Sequence, residues 1–234
     1  MFMKNSPKSH AVIDFRRYPI PRVRHHVSPQ LYMPLQQQLI RPAWYPPLID
    51  AATWAEWFGN GAPATVIDLG CGRGGFLLAH ALAFPQVNVL GIEVRNVLIE
   101  WIQGVIAGEA IPNAHALWYS AVNGLPWIDS GSIDYVTYLF ADPWPKKRHH
   151  KRRLFSTELL DELDRILTPG GRIYFATDVP EVEEHQRSTI AAHGRFVVHD
   201  VSEQYPWPFD FATDQQSFCD RKEIPYSMYV ATRR

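Results

Sequence analysis

The fold class is indicated most clearly by one stretch of the sequence, Thr65-Val-Ile-Asp-Leu-Gly70-Cys-Gly-Arg-Gly-Gly75-Phe76. Its first five residues form a short, largely apolar run that ends at glycines, which is typical of a buried β-strand. The glycines allow the backbone to turn sharply, and residues 76–83 then show a helical pattern that stops before Pro85. A strand, a glycine loop and a helix in this order predict the first unit of an α/β domain.

The same alternation of strand and helix continues along the rest of the chain. Helices are predicted at residues 94–107, from Ser156 or Thr157 to residue 167, and at 181–193, and the second of these is expected to end at Pro169-Gly170-Gly171. Six further strands are predicted at residues 87–92, 115–119, 133–140, 172–176, 196–199 and 226–232, with an irregular stretch rich in proline and aromatic residues between the last two. We therefore predict an α/β fold with a doubly wound, mostly parallel, seven-stranded sheet.

The first 63 residues have a different character. Prolines stand at positions 7, 19, 21, 29, 34, 42, 46, 47 and 63, among the 19 prolines of the chain. Proline lacks an amide hydrogen and disfavours helix in the residue before it, so only short helical pieces are expected here, for instance within residues 48–58. We predict a locally basic, Pro-rich N-terminal arm over residues 1–63, which wraps the core or contacts RNA, and one domain over residues 64–234.

Composition restricts the class of protein further. The chain has 234 residues and a formal net charge of −1, and its only two cysteines, Cys71 and Cys219, exclude a disulfide framework. No run approaches the roughly 20 apolar residues that span a bilayer, and residues 1–10 lack the apolar centre of a signal peptide. We therefore expect a cytoplasmic protein with no membrane association, whose nucleic-acid surface, if it has one, is local.

The glycine loop predicts a ligand at the start of the following helix. Glycines at positions 70, 72 and 75 let a ligand approach main-chain amides there, and the same spacing also satisfies the dinucleotide pattern of NAD enzymes. Asp68 suits a cationic amino group better than a pyrophosphate, and Glu93, at the end of the second strand, suits the two hydroxyls of a ribose. Together these residues resemble the S-adenosylmethionine site of class I methyltransferases, while a turn without a ligand remains the alternative.

A strongly basic segment follows the fourth strand. It reads Asp142-Pro-Trp-Pro-Lys-Lys-Arg-His-His-Lys-Arg-Arg153, and it lies where α/β proteins bind their ligands. Six of its side chains would neutralise RNA phosphates, namely Lys146, Lys147, Arg148, Lys151, Arg152 and Arg153. A solvated loop or an import signal is the alternative, and Trp144 either stacks on a base or fills the loop.

This segment resembles the signature of the tRNA (guanine-N7)-methyltransferase family. Gly91-Ile-Glu93-Val-Arg95, Thr168-Pro-Gly-Gly171 and Ala176-Thr177-Asp178 are similar to the family at matching spacing, and the resemblance extends from about residue 64 to 184. It implies a Rossmann-like class I methyltransferase that binds S-adenosylmethionine and tRNA and modifies a guanine in the variable loop.

The resemblance also implies a role for individual residues. The cofactor site would contain Asp68, Gly70, Gly72, Glu93, Arg95, Ser120, Ala121 and Asp142, although the family has Asp or Asn where this chain has Ser120 and often Glu where it has Asp68. Asp142 would be catalytic, and Asp178 matches a substrate-contacting position. Because a carboxylate that faces the N1 and N2 hydrogens of guanine would select this base, Asp178 is the second catalytic candidate, unless it only caps the following helix. Beside the basic run and Asp178, the substrate contacts would be Thr213, Gln216, where the family has Glu, and Arg221.

The chemistry of guanine N7 explains why so few catalytic groups are needed. N7 has a free lone pair and no proton to lose, so the protein must mainly hold the reactants in line. No metal is expected, because the pairs His25-His26 and His149-His150 lack partner ligands at metal-binding spacing. Three alternatives stay open: a diverged methyltransferase with another RNA or a small molecule as substrate, a non-catalytic protein that binds tRNA and cofactor, and an NAD-dependent oxidoreductase. We expect a monomer or a homodimer.

Overall fold

A computed structural model describes residues 13–23, 27–143 and 154–234. Its centre is one seven-stranded sheet in the order β3-β2-β1-β4-β5-β7-β6. The strands are β1 (Val66–Leu69), β2 (Val89–Glu93), β3 (Ala114–Trp118), β4 (Ile133–Leu139), β5 (Leu167–Thr177), β6 (Phe196–Asp200) and β7 (Ser227–Arg233). The first five are parallel, whereas β7 runs antiparallel to both β5 and β6. The prediction of a doubly wound, mostly parallel sheet is confirmed.

Helices cover both faces of this sheet. They are α1 (Trp54–Trp57), α2 (Gly75–Ala83), α3 (Asn96–Gly108), α4 (Thr157–Ile166), α5 (Pro180–His193) and α6 (Asp214–Lys222). Strands β1 and β2 are buried along their whole length, because helices pack on both sides of the middle of the sheet. Among the described residues, no helix combines the length and the apolar character that crossing a membrane requires.

Three local predictions differ from the structure. Residues 214–222, expected to be irregular, form α6, whose N-terminus is capped by the Thr213 hydroxyl. The segment 168–171 does not separate α4 from the next strand but lies inside β5, where Gly170 adopts a left-handed φ of 75°. The helical piece expected within residues 48–58 is only the single turn of α1.

The N-terminal segment, described over residues 13–23 and 27–63, follows the surface of the domain in short 3-10 turns. These turns span Phe15–Arg17, Pro29–Tyr32 and Leu35–Gln37, and no longer helix is described before α1. Tyr45 is buried in a small apolar cluster with Val27 and Leu31. Hydrogen bonds from the Ser120 hydroxyl to the carbonyl of Leu31 and from the amide of Leu35 to the Asn123 side chain join the segment to the domain.

The topology also positions the candidate site. Because β1, β2 and β4 are parallel neighbours, their carboxyl ends meet at one edge of the sheet. The glycine loop follows β1, Glu93 ends β2, and Asp142 lies three residues after β4. Residues far apart in the sequence thus meet at this edge.

Candidate functional site

The glycine loop is held in a conformation that side chains would oppose. Gly70, Gly72 and Gly74 have positive φ angles of 74°, 57° and 72°. The amides of Gly70 and Cys71 both donate to the carbonyl of Ile92, at 2.8 and 3.1 Å, which ties the loop to β2. The loop is thereby fixed at the edge of the sheet, directly before α2.

A cleft of about 820 Å³ opens beside this loop. Its walls include the loop itself, the ends of the neighbouring strands, part of the N-terminal segment and the start of α6. Most of the polar lining comes from Arg22, Tyr32, Asp68, Arg73, Glu93, Arg95, Asp142, Thr213, Asp214 and Gln215. The structure thus brings the two predicted cofactor acids and Asp142 into one cleft.

Asp68 is a buried acid of this cleft whose pKa is raised. Its side chain is only 3% exposed, and the Thr137 hydroxyl donates to its Oδ1 at 2.7 Å. Its Oδ2 is buried and has no hydrogen-bond partner within the described part of the chain. Burial raises the pKa of Asp68 to about 7, against the effect of the Thr137 hydrogen bond. The unpartnered oxygen fits a cationic group that enters the cleft, such as the amino group of S-adenosylmethionine.

Glu93 is already saturated with hydrogen bonds. Its carboxylate accepts from the Arg95 guanidinium at 2.9 and 3.0 Å, from the amides of Val94 and Arg95, and from the amide of Gly72 at 3.1 Å. Burial lowers the pKa of Arg95, but the bonds to Glu93 outweigh it and the net pKa is raised. Since a carboxylate has about four acceptor positions, ribose hydroxyls would reach Glu93 only by displacing the Arg95 side chain.

Asp142 is exposed and contacts the N-terminal segment. The Tyr32 hydroxyl donates to Asp142 Oδ2 at 2.6 Å. Just before it, Phe140 has a left-handed φ of 50°, which is unusual for an aromatic residue, and its amide donates to the carbonyl of Ala176 at 2.7 Å. This turn redirects the chain after β4, and strained backbone of this kind is frequent at functional sites.

The second predicted catalytic acid, Asp178, lies behind the wall of the cleft. It is half-buried, and the Gln215 side-chain amide donates to its Oδ2 at 2.9 Å. The Cys219 thiol lies 3.7 Å from the same oxygen. Gln215 is among the described residues that line the cleft and Asp178 is not, so Gln215 covers Asp178 in this structure.

The three predicted substrate contacts at the C-terminal end have different positions. Thr213 lines the cleft, and its hydroxyl accepts from the amide of Gln216 at 2.9 Å, as an N-cap does. The Gln216 side chain turns instead to the Tyr226 hydroxyl at 3.2 Å. Arg221 is exposed near the end of α6. Neither Gln216 nor Arg221 is among the described residues that line the cleft.

Ser120 and Ala121 also lie apart from the cleft wall. Both are buried, and the Ser120 hydroxyl donates to the carbonyl of Leu31 at 2.6 Å. The resemblance predicts that Ser120 contacts adenine, whereas in the structure its hydroxyl contacts the N-terminal segment.

Several predicted groups lie outside the described residues. They are Trp144 and the basic residues Lys146, Lys147, Arg148, Lys151, Arg152 and Arg153. Across residues 13–23, 27–143 and 154–234, no group of three or more His, Cys, Asp or Glu side chains is arranged to hold a metal ion. Burial, together with the charges of Asp68 and Glu93, raises the pKa of the Cys71 thiol, which does not suit it as a nucleophile.

Sequence reasoning missed five of the polar residues that line the cleft. They were not predicted as site residues: Arg22, Tyr32, Arg73, Asp214 and Gln215. Gln215 is adjacent to the predicted Gln216, and the phase of α6 decides which of the two side chains faces Asp178. No local sequence signal identifies Tyr32.

Comparison with known proteins identifies relatives of this chain. A family model described as putative methyltransferase matches residues 62–220. The tRNA (guanine-N(7)-)-methyltransferase of Thermosynechococcus vestitus is 36% identical over 192 residues, which cover 81% of this chain and 85% of that protein. The protein of the same name from Synechococcus sp. is 32% identical over 214 residues, covering 91% of this chain and 85% of that protein.

The structure is also similar to that of the 16S rRNA methyltransferase KamB. The TM-score is 0.51 at 17% identity, and the match covers 73% of this chain and 87% of that chain, which shows a shared fold. Fold and cleft together define a class I methyltransferase that uses S-adenosylmethionine. The chain belongs to the tRNA (guanine-N7)-methyltransferase family. The resemblance, the enzyme class and the cofactor predicted from the sequence are confirmed.

Proposed function

We propose that this enzyme transfers a methyl group from S-adenosylmethionine to N7 of a guanine in tRNA. One observation carries the proposal: the buried Asp68 has an unpartnered carboxylate oxygen in the same cleft as Asp142. The first of these acids suits the cationic cofactor, and the second stands where a substrate base would enter. The names of the relatives, which are 32–36% identical to this chain, supply the substrate class.

The cofactor would be held by the β1 and β2 ends of the cleft. Asp68 would bind the amino group, the amides of the loop from Gly70 to Gly72 would face the ligand, and Glu93 would accept hydrogen bonds from the ribose hydroxyls after the Arg95 guanidinium has moved aside. Ser120 and Ala121 would form the adenine side of this site, where the Ser120 hydroxyl can accept a hydrogen bond while it still donates to the carbonyl of Leu31. When bound, S-adenosylmethionine supplies an electrophilic methyl group on its sulfonium.

The protein's task in the reaction is mainly placement. Guanine N7 attacks without losing a proton, so the rate gain comes from holding the base in line with the methyl group. Asp142 positions the base next to the cofactor. Once the Gln215 side chain that covers it has moved aside, Asp178 accepts hydrogen bonds from guanine N1 and N2 and balances the positive charge that the purine gains. Thr213 lines the cleft, and Gln216 and Arg221 would contact more distant parts of the RNA.

The basic run would hold the backbone of the tRNA. Six Lys and Arg residues within positions 146–153 stand next to Asp142 in the sequence, in a chain with a net charge of −1. Phosphate contacts from such a cluster fix the register of an RNA without selecting its sequence. We place the target guanine in the variable loop and the enzyme in the cytoplasm, as a monomer or homodimer.

The direct test is methyl transfer from labelled S-adenosylmethionine to an unmodified tRNA transcript, followed by nucleoside analysis. We expect 7-methylguanosine as the labelled product, and transfer reduced to a low residual rate with intact cofactor binding in Asp142→Asn. A different labelled nucleoside would refute the assignment of N7. Binding of cofactor and tRNA without any transfer would favour a non-catalytic binding protein.

A further inference from the structure

The N-terminal segment is anchored on the methyltransferase domain on both sides of Tyr32. The Ser120 hydroxyl donates to the carbonyl of Leu31 at 2.6 Å, and the amide of Leu35 donates to the Asn123 side chain at 2.8 Å. The buried Tyr45 adds a bond from its hydroxyl to the carbonyl of Met33 at 2.8 Å. Because these contacts precede and follow position 32, the backbone there has little freedom to shift.

Tyr32 extends from this anchored turn into the cleft. Its hydroxyl lies 2.6 Å from Asp142 Oδ2, and both residues line the cleft that contains Asp68 and Glu93. Burial, followed by the charge of Asp142, raises the pKa of Tyr32 well above its ordinary value. The hydroxyl therefore keeps its proton and acts as a donor to the carboxylate.

The donor at Tyr32 can fix the orientation of Asp142. It is exposed, it follows a left-handed residue at Phe140, and it precedes a proline that offers no amide donor. An exposed carboxylate without a fixed partner samples several rotamers. A hydrogen bond from a phenol on an anchored turn restricts it to one of them.

We infer that Tyr32 is a positioning residue, which acts through Asp142 and makes the N-terminal segment part of the active site. This rests on the proposed function, in which Asp142 places the guanine. The segment thus completes the catalytic cleft, and Ser120 serves this purpose by holding the turn that bears Tyr32.

The test is Tyr32→Phe, which removes the hydroxyl and retains the ring. We expect kcat for 7-methylguanosine formation to fall about tenfold, the effect typical of losing a hydrogen bond to a charged group. KM for S-adenosylmethionine should stay within about twofold, since an interaction that orients Asp142 toward the methyl-accepting base leaves cofactor binding unchanged.

The matched control is Tyr18→Phe. Tyr18 also lies in the N-terminal segment and donates its hydroxyl to a carboxylate, that of Glu109 at 2.7 Å, and it is not among the described residues lining the cleft. Its kcat should equal that of the unaltered enzyme. Calorimetric titration with S-adenosylmethionine shows for each variant that the cleft is folded.

A double-mutant comparison separates positioning from a general structural effect. In an Asp142→Ala background, which lacks the acceptor of this bond and is compared by its residual transfer, Tyr32→Phe should cause no further loss, because the group through which it acts is already absent. The inference would be overturned if Tyr32→Phe had the same kcat as Tyr18→Phe. It would also be overturned if Tyr32→Phe lowered kcat equally with and without Asp142, or if it raised only the KM for S-adenosylmethionine and left kcat unchanged. Absence of 7-methylguanosine with the unaltered enzyme would instead refute the proposed function, and this inference with it.

Discussion

Replacement of Asp68 by Asn tests the electrostatics of the cleft in the free protein. The carboxyl is 3% exposed and its pKa is about 7, compared with an ordinary value of 3.8, because burial disfavours the charged form. Asn keeps the size and can still accept the hydrogen bond from Thr137, but it does not titrate. The two proteins therefore differ chiefly in one ionisation.

The direction in which stability changes with pH follows from proton binding in the folded and unfolded states. Between pH 4 and pH 7 the folded protein retains the proton on Asp68 and the unfolded chain has lost it, so the free energy of unfolding falls as the pH rises. A pKa difference of about three corresponds to up to about 4 kcal/mol in total. About 2.5 kcal/mol of this change falls between pH 5 and pH 8. The Asp68→Asn variant lacks this decline. We therefore expect its free energy of unfolding, relative to that of the unaltered protein, to rise by about 2.5 kcal/mol from pH 5 to pH 8.

The measurement is urea unfolding of both proteins at pH 5 and pH 8. Other titrating groups occur in both proteins and cancel in the difference. S-adenosylmethionine should remove most of the decline in the unaltered protein, because its amino group favours the charged carboxylate, and it should bind Asp68→Asn about 100-fold more weakly, as expected for loss of a buried charge pair. A stability difference that is the same at pH 5 and pH 8 would refute the assignment of a raised pKa to Asp68.

Three further predictions concern the substrate side and the packing. Asp178→Asn should abolish methyl transfer while calorimetry finds the cofactor affinity unchanged; normal turnover would remove this acid from the guanine pocket. Replacing Lys146 and Arg148 together by Ala should weaken tRNA binding and reduce the slope of log K against log salt by about 2, measured by filter binding; an unaltered slope would exclude them as phosphate contacts. Gly91→Ala should destabilise the fold by about 1–3 kcal/mol in urea unfolding, since a Cβ there would lie 2.7 Å from Leu77; unchanged stability would show that the neighbours of β2 adjust freely.

The fold was largely predictable because its strands and helices alternate with clear patterns. Helix α6 was missed for a physical reason: of its nine residues only Cys219 is buried, so it has no apolar stripe to detect. Residues 168–171 were misassigned because a Pro-Gly-Gly sequence is typical of a turn, whereas here it forms the irregular start of β5, where the pairing with β4 shifts register.

The candidate site was predictable where strand ends determine it. Asp68 and Glu93 follow from the topology, because parallel strands bring their carboxyl ends together. Tyr32 could not be predicted, since it lies 110 residues from Asp142 and its Pro-rich surroundings have no periodicity. The contact of Gln215 with Asp178 was also hidden, because motif spacing indicates position 216 and only the rotation of α6 shows which amide faces the acid.

Transfer to a tRNA in which the target guanine is replaced by 7-deazaguanine tests the central claim most directly. This base carries a carbon in place of N7 and keeps the N1 and N2 hydrogens proposed to contact Asp178. We predict that the enzyme binds this tRNA as tightly as the unaltered tRNA and transfers no methyl group to it, while the unaltered tRNA yields 7-methylguanosine. Methyl transfer to the 7-deazaguanine tRNA at an undiminished rate would contradict the account, because the acceptor would then be a different atom.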